Sequence, residues 1–164
     1  MSNFPFIVPD LNNKKCWLDL RGRYRGGYGW RGNLRSLNKV ILHHTVTPRS
    51  GNAVKDCDML ANIHIRSNRW GGIGYHLLIT SEVKDGYAVV AYVGDLKSAR
   101  AHDFNGKGKS WSPHKQGNFY SVGISFIGNH QKDGLMVEQL RSAKLLLDEL
   151  VYREDARIPN VKSY

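Results

Sequence analysis

Val40-Ile41-Leu42-His43-His44-Thr45 decides the fold of this chain. Three consecutive aliphatic residues with no polar interruption read as a buried strand of a parallel or mixed sheet. The strand spans roughly 38–45 and delivers imidazole to its C-terminal end. About thirty residues on, Trp70-Gly71-Gly72-Ile73-Gly74-Tyr75-His76 is a glycine-rich turn that opens into a second apolar strand over 74–80. An imidazole at a strand end beside a tyrosine on a neighbouring strand suits a metal-assisted hydrolase.

The elements around these two stretches follow from periodicity and punctuation. Residues 52–67 read as a helix capped by Asn52, with Leu60, Ile63 and Ser67 on one face. Lys84-Asp85-Gly86 is a turn signal, and Tyr87–Tyr92 is the hairpin partner that follows it. Ser121–Gly128 is a further strand. Residues 135–152 form a helix on which Leu140, Leu147 and Val151 share a face opposite Lys and Arg. Residues 95–120 are polar and loop-like. The sum is a single α/β domain with a mixed central β-sheet flanked by helices. Within it, residues 1–36 are set apart as a basic and aromatic arm, and 37–164 as the domain proper.

Composition narrows the class. A chain of 164 residues with 41% apolar and 10% aromatic content builds a packed core rather than a disordered chain. No apolar run approaches the ~20 residues of a membrane helix. Met1-Ser2-Asn3-Phe4-Pro5-Phe6 lacks the basic and apolar regions of a signal peptide, so synthesis in the cytoplasm is expected. The net charge is +10, from 24 Lys and Arg against 14 Asp and Glu, which favours polyanionic partners. Nucleic acid and the anionic polymers of a bacterial wall both qualify. Arg21, Arg23, Arg25 and Arg31 alternate with Tyr24, Tyr28 and Trp30, a composition used to stack on single-stranded bases. The run is short and unrepeated, so it reads as an arm packing its aromatics on the domain edge, and nucleic acid is not the expected partner. Cys16 and Cys57 form no Cys-x-x-Cys pair and read as two small core residues with free thiols. Gly106-Lys107-Gly108-Lys109-Ser110 is not a phosphate loop, because Asp103 stands where the first glycine is needed. His114 and His130 fall in polar loops and receive no role, with His130 left as a spare metal donor.

Taken together, the chain resembles the zinc-dependent N-acetylmuramoyl-L-alanine amidases, a family that includes phage lysozyme-type amidases and peptidoglycan recognition proteins. The resemblance covers nearly all of residues 18–164. His44-Thr45 matches the family's register of apolar strand, zinc-binding histidine and small polar residue, which assigns His44 as the metal ligand. His43 then faces the other way, as a structural residue or a support to the ligand. His64, Trp70 six residues later and Ile73-Gly74-Tyr75 reproduce the family spacing. Tyr75 matches the tyrosine that polarises the reacting amide. Trp70 lines the substrate site or seals the core edge, with His64 packed against it. Ala101-His102-Asp103 and Asn118 match segments lining the substrate groove, so His102 and Asn118 either hydrogen-bond the stem peptide or cap loops. His76 points away from the site.

The activity that the resemblance implies is zinc-dependent cleavage of the amide between N-acetylmuramic acid and L-alanine in peptidoglycan. The setting it implies is a monomeric endolysin released through a holin. A peptidoglycan-binding module without catalysis is the second reading, and a basic nucleic-acid-binding protein a weaker third. In the family a second histidine, then a cysteine or aspartate, follow the helix matched by 135–152. Arg157-Ile158-Pro159-Asn160-Val161-Lys162-Ser163-Tyr164 offers no counterpart. A piece of a longer enzyme, a partner chain that completes the site and a natural binder remain open.

Overall fold

The computed structural model of the protein describes residues 6–26, 39–96 and 121–152. The strands are β1 (Trp17–Asp19), β2 (Lys39–His44), β3 (Leu77–Lys84), β4 (Tyr87–Tyr92) and β5 (Ser121–Phe126). They form one sheet in the order β1-β4-β3-β5-β2. β3 and β4 pair antiparallel, and the β1–β4, β3–β5 and β5–β2 pairs are parallel. The helices are α1 (Pro9–Asn13), α2 (Ala53–Ala61), α3 (His130–Asp133) and α4 (Val137–Leu147). Wider π-type turns extend α2 through Ser67 and α4 through Tyr152. The mixed sheet and its helices are the architecture expected.

Local chemistry accounts for the elements. Asn52 caps α2 by accepting from the Lys55 amide at 3.0 Å. Asp85 and Gly86, at φ 50° and 78°, make the turn that reverses β3 into β4. Two apolar clusters lie on the two faces of the sheet. On one, Leu77, Ile79, Val90, Val122, Ile124 and Phe126 pack with Ala143, Leu146 and Leu150 of the C-terminal helix. On the other, Leu78, Ala91 and Val93 pack with Cys57 and Leu60 of α2 and with Ile73.

Three features differ from the sequence reading. Residues 6–26 are not peripheral: Phe6, Val8, Leu11, Cys16 and Trp17 belong to the first cluster, and β1 extends the sheet beside β4. Arg21 is held by Asp19 at 2.6 Å and Asp95 at 3.4 Å and lies over the Tyr92 ring, so it serves the fold. β2 is an edge strand rather than a buried one, with Leu42 half exposed. On α4 the inward face carries Gln139, Ser142, Ala143 and Leu146, while Leu140 is exposed. Cys16 and Cys57 are buried free thiols, as read from the sequence.

Gln139 explains the helix phase. It is fully buried, and its side-chain amide reaches the carbonyls of Ile79, Thr80 and Ile127 at 3.2, 3.3 and 2.9 Å. The β3–β4 register shifts between Ile79 and Val83, beside the Thr80 carbonyl that Gln139 reaches. Gln139→Leu keeps the volume and removes this donor from the Thr80 and Ile127 carbonyls, while the Ile79 carbonyl keeps the Ile127 amide at 2.9 Å. It is expected to cost about 2–3 kcal/mol in urea unfolding at unchanged m-value.

Candidate functional site

β2 and β5 run parallel with His43 opposite Ser125 and His44 opposite Phe126. Opposed residues share a face and neighbours alternate. Phe126 belongs to the cluster under α4, so His44 lies on that side. His43 and Ser125 lie on the other side, where Tyr75 packs against the α2 cluster. The His43 and Tyr75 rings are 5.3 Å apart.

This corrects the register assigned from the sequence. His43, not His44, shares a face with Tyr75. His44 instead stacks on His130 at 5.5 Å, and its Nδ1 accepts from the His130 backbone amide at 3.1 Å. Alternation alone requires only that the two imidazoles face apart. Their absolute sense is fixed by Val40, which packs into the α4-side cluster two strand repeats before His44.

Tyr75 sits just before β3, at the end of the glycine-rich turn. Burial pushes its phenol pKa up, and the Ser125 hydroxyl offsets part of that rise. The phenol therefore keeps its proton at neutral pH. His64 closes the other side, its ring 5.7 Å from Tyr75 and 4.5 Å from Trp70. The His64 Nδ1 accepts from the Gly74 amide at 2.9 Å, so the neutral ring carries its proton on Nε2. The Trp70 amide in turn donates to the His64 carbonyl at 2.9 Å. Arg69, just before it, takes φ 57°, a left-handed conformation that turns the chain sharply at the site's edge.

Burial lowers the His64 pKa from 6.5 to about 4. The unfolded chain therefore takes up this proton at higher pH than the folded one. The associated stability is complete above about pH 6.5 and is lost as pH falls through about 4. A decline of up to about 3 kcal/mol is expected across that window. Urea unfolding as a function of pH should show a flatter acid limb in His64→Asn.

The spacing read from the sequence thus brings His64, Trp70 and Tyr75 together, with His43 in the place foreseen for His44. His76 is fully buried and its Nδ1 accepts from the Gly123 amide at 3.0 Å, which ties the start of β3 to β5. His102 and Asn118 lie outside the described residues. Ser125 was missed. Its signal is the alternation of Ser121, Gly123 and Ser125 with Val122, Ile124 and Phe126, a small-residue face turned toward the site. Among the described residues no three His, Cys, Asp or Glu side chains converge as a metal requires, so these residues do not by themselves fit a zinc ion. Among the same residues no helix is long and apolar enough to cross a membrane.

Comparison with known proteins bears on the family and the fold. Peptidoglycan-recognition protein SC1a of Drosophila melanogaster is 31% identical over 137 residues, covering 78% of this chain and 64% of the relative. The chain thus spans just under two thirds of that relative's length. The structure of bumblebee PGRP-SA superposes with a TM-score of 0.56 at 25% identity, covering 80% of this chain and 73% of that one. Peptidoglycan recognition protein-LE shares the fold, with a TM-score of 0.61 at 22% identity over 85% of this chain and 76% of that one. The sequence profile described as N-acetylmuramoyl-L-alanine amidase matches residues 33–162, and the chain belongs to that family.

Proposed function

We propose that this chain is a peptidoglycan amidase domain that cleaves the bond between N-acetylmuramic acid and L-alanine of the stem peptide. The observation that carries the reading is a partly buried Tyr75 phenol whose ring lies 5.3 Å from the His43 ring and 5.7 Å from the His64 ring. Attack on an amide places negative charge on the carbonyl oxygen. A fixed O–H donor stabilises that charge more than it stabilises the neutral substrate. Tyr75 is assigned this role. Trp70 offers an apolar wall to the substrate, and His64 holds Trp70 and Tyr75 in place. His102 and Asn118 are retained as proposed contacts to the stem peptide.

When bound, a zinc ion would supply a water of lowered pKa. His43, whose ring lies by Tyr75, is the ligand proposed in place of His44. The other donors are not among the described residues. An endolysin setting, and contact of the basic surface with anionic wall polymers, belong to the same proposal.

A second reading is recognition of peptidoglycan without cleavage. The name of the relative, a peptidoglycan-recognition protein, and the incomplete donor set among the described residues favour it. Incubation with a defined muropeptide and zinc separates the two. New L-alanine amino termini support the amidase. Co-sedimentation with insoluble peptidoglycan without new termini supports the binder, and neither result removes both.

A further inference from the structure

Among the described residues, Lys15, Val46, Arg69 and Asp85 are the non-glycine residues with a left-handed backbone. Three of them stand where a reversal of the chain calls for it. Lys15 follows the C-cap of α1, Arg69 follows the C-cap of the helix end that carries His64, and Asp85 forms the β3–β4 turn. Val46, at φ 58°, follows a strand and is β-branched, the side-chain class that this conformation suits least. Hydrogen bonds hold it there. The Thr45 amide donates to the Phe126 carbonyl and the Val46 amide to the Gly128 carbonyl, each at 3.0 Å. The Thr45 hydroxyl accepts from the Gly128 amide at 3.1 Å. The fold gains little from the side chain itself, which is 59% exposed. Asparagine or glycine would meet the same backbone with less strain. A strained, exposed aliphatic residue is a conflict that folding alone does not resolve, and such strain collects at functional sites.

We infer that Val46 is a substrate contact that reads the methyl group of the L-alanine beside the scissile amide. This rests on the amidase reading, which puts that amide beside Tyr75 and His43. Val46 is three residues from His43, so no more than about 11 Å separates their α-carbons. In extended backbone, residue 46 would continue the alternation of β2 and fall on the His44 side of the sheet. The left-handed turn takes it out of that alternation, at the strand end from which His43 reaches Tyr75. The L-alanine methyl is the side chain next to the bond that breaks. An exposed isopropyl group offers it an apolar surface, and contact between the two removes both from water. Discrimination against a stem that lacks the methyl follows from that contact.

The test uses two synthetic muropeptides, identical except that one begins its stem with L-alanine and the other with glycine. Affinity and, with zinc present, cleavage are measured for the whole chain. Wild type is expected to favour the L-alanine form about tenfold. Val46→Asn should bring that ratio to about twofold or less while raising the thermal midpoint by a few degrees. Val46→Gly should lower the ratio equally, which covers the case in which asparagine bonds the peptide itself. A wild-type ratio near one, a ratio unchanged in both variants, or binding of neither form overturns the inference. A lowered midpoint in Val46→Asn also overturns it, because the fold would then account for the valine. If neither form is cleaved while the affinity ratio collapses in the variants, the amidase reading falls and the Val46 contact stands.

Discussion

Tyr75→Phe is expected to slow muropeptide cleavage by about 10²–10³-fold while leaving muropeptide affinity within about twofold. The substitution removes one oxygen and keeps the ring that packs against His43 and His64. Its effect should therefore fall on the charge that develops at the scissile carbonyl and not on the fold. The raised pKa of the phenol adds a second expectation. Donation by Tyr75 requires the protonated form, so its contribution should persist through neutral and mildly alkaline pH. Turnover of Tyr75→Phe at the wild-type rate would remove this residue from the mechanism. Loss of binding together with turnover would mark it as a binding contact instead.

Asp56→Ala is expected to destabilise the domain by roughly 3–5 kcal/mol. Asp56 is a fully buried carboxylate near the start of α2. It accepts from the Ser50 amide at 3.0 Å and the Ser50 hydroxyl at 2.7 Å. It also accepts from the Ser81 amide and hydroxyl, each at 2.7 Å. These four bonds join the loop after β2 to the bulged part of β3. Alanine would leave the buried Ser81 amide and hydroxyl without their acceptor beside a void, while exposed Ser50 turns to water. The denaturation midpoint should fall by roughly 10 °C for a domain of this size. Asp56→Asn keeps the shape but offers one acceptor oxygen, and it should lose roughly half as much. An unaltered midpoint in Asp56→Ala would mean that the serines find other partners and that the junction is not held by this carboxylate. Either variant leaves the His43–Tyr75 face intact, so activity of the folded fraction should be preserved.

Local signals were legible where the chemistry is local. The Asn52 cap, the Asp85-Gly86 reversal and the strand from Tyr87 to Tyr92 each depend on a few adjacent residues. The spacing of His64, Trp70 and Tyr75 was legible too, because one turn and one helix end determine it. What the sequence concealed depends on partners far along the chain. Val40, Ile41 and Leu42 are all aliphatic, so the strand carries no polar alternation to show which histidine faces which side. The pairing with β5 supplies that information. β1 has three residues, and its place follows only from β4, a strand far downstream. Leu145, Leu146 and Leu147 are consecutive, so the phase of α4 was ambiguous until buried Gln139 fixed it. Ser125 looked like an ordinary strand serine, and its place opposite His43 emerges only from the sheet.

The most direct measurement is the release of L-alanine amino termini from a defined muropeptide, with zinc present, by His43→Ala and His44→Ala in parallel with wild type. With His43 on the Tyr75 face and His44 stacked on His130, His43→Ala should abolish release at an unchanged thermal midpoint. His44→Ala should retain measurable turnover with a modest loss of stability. Abolished release in His44→Ala together with wild-type release in His43→Ala would contradict the account.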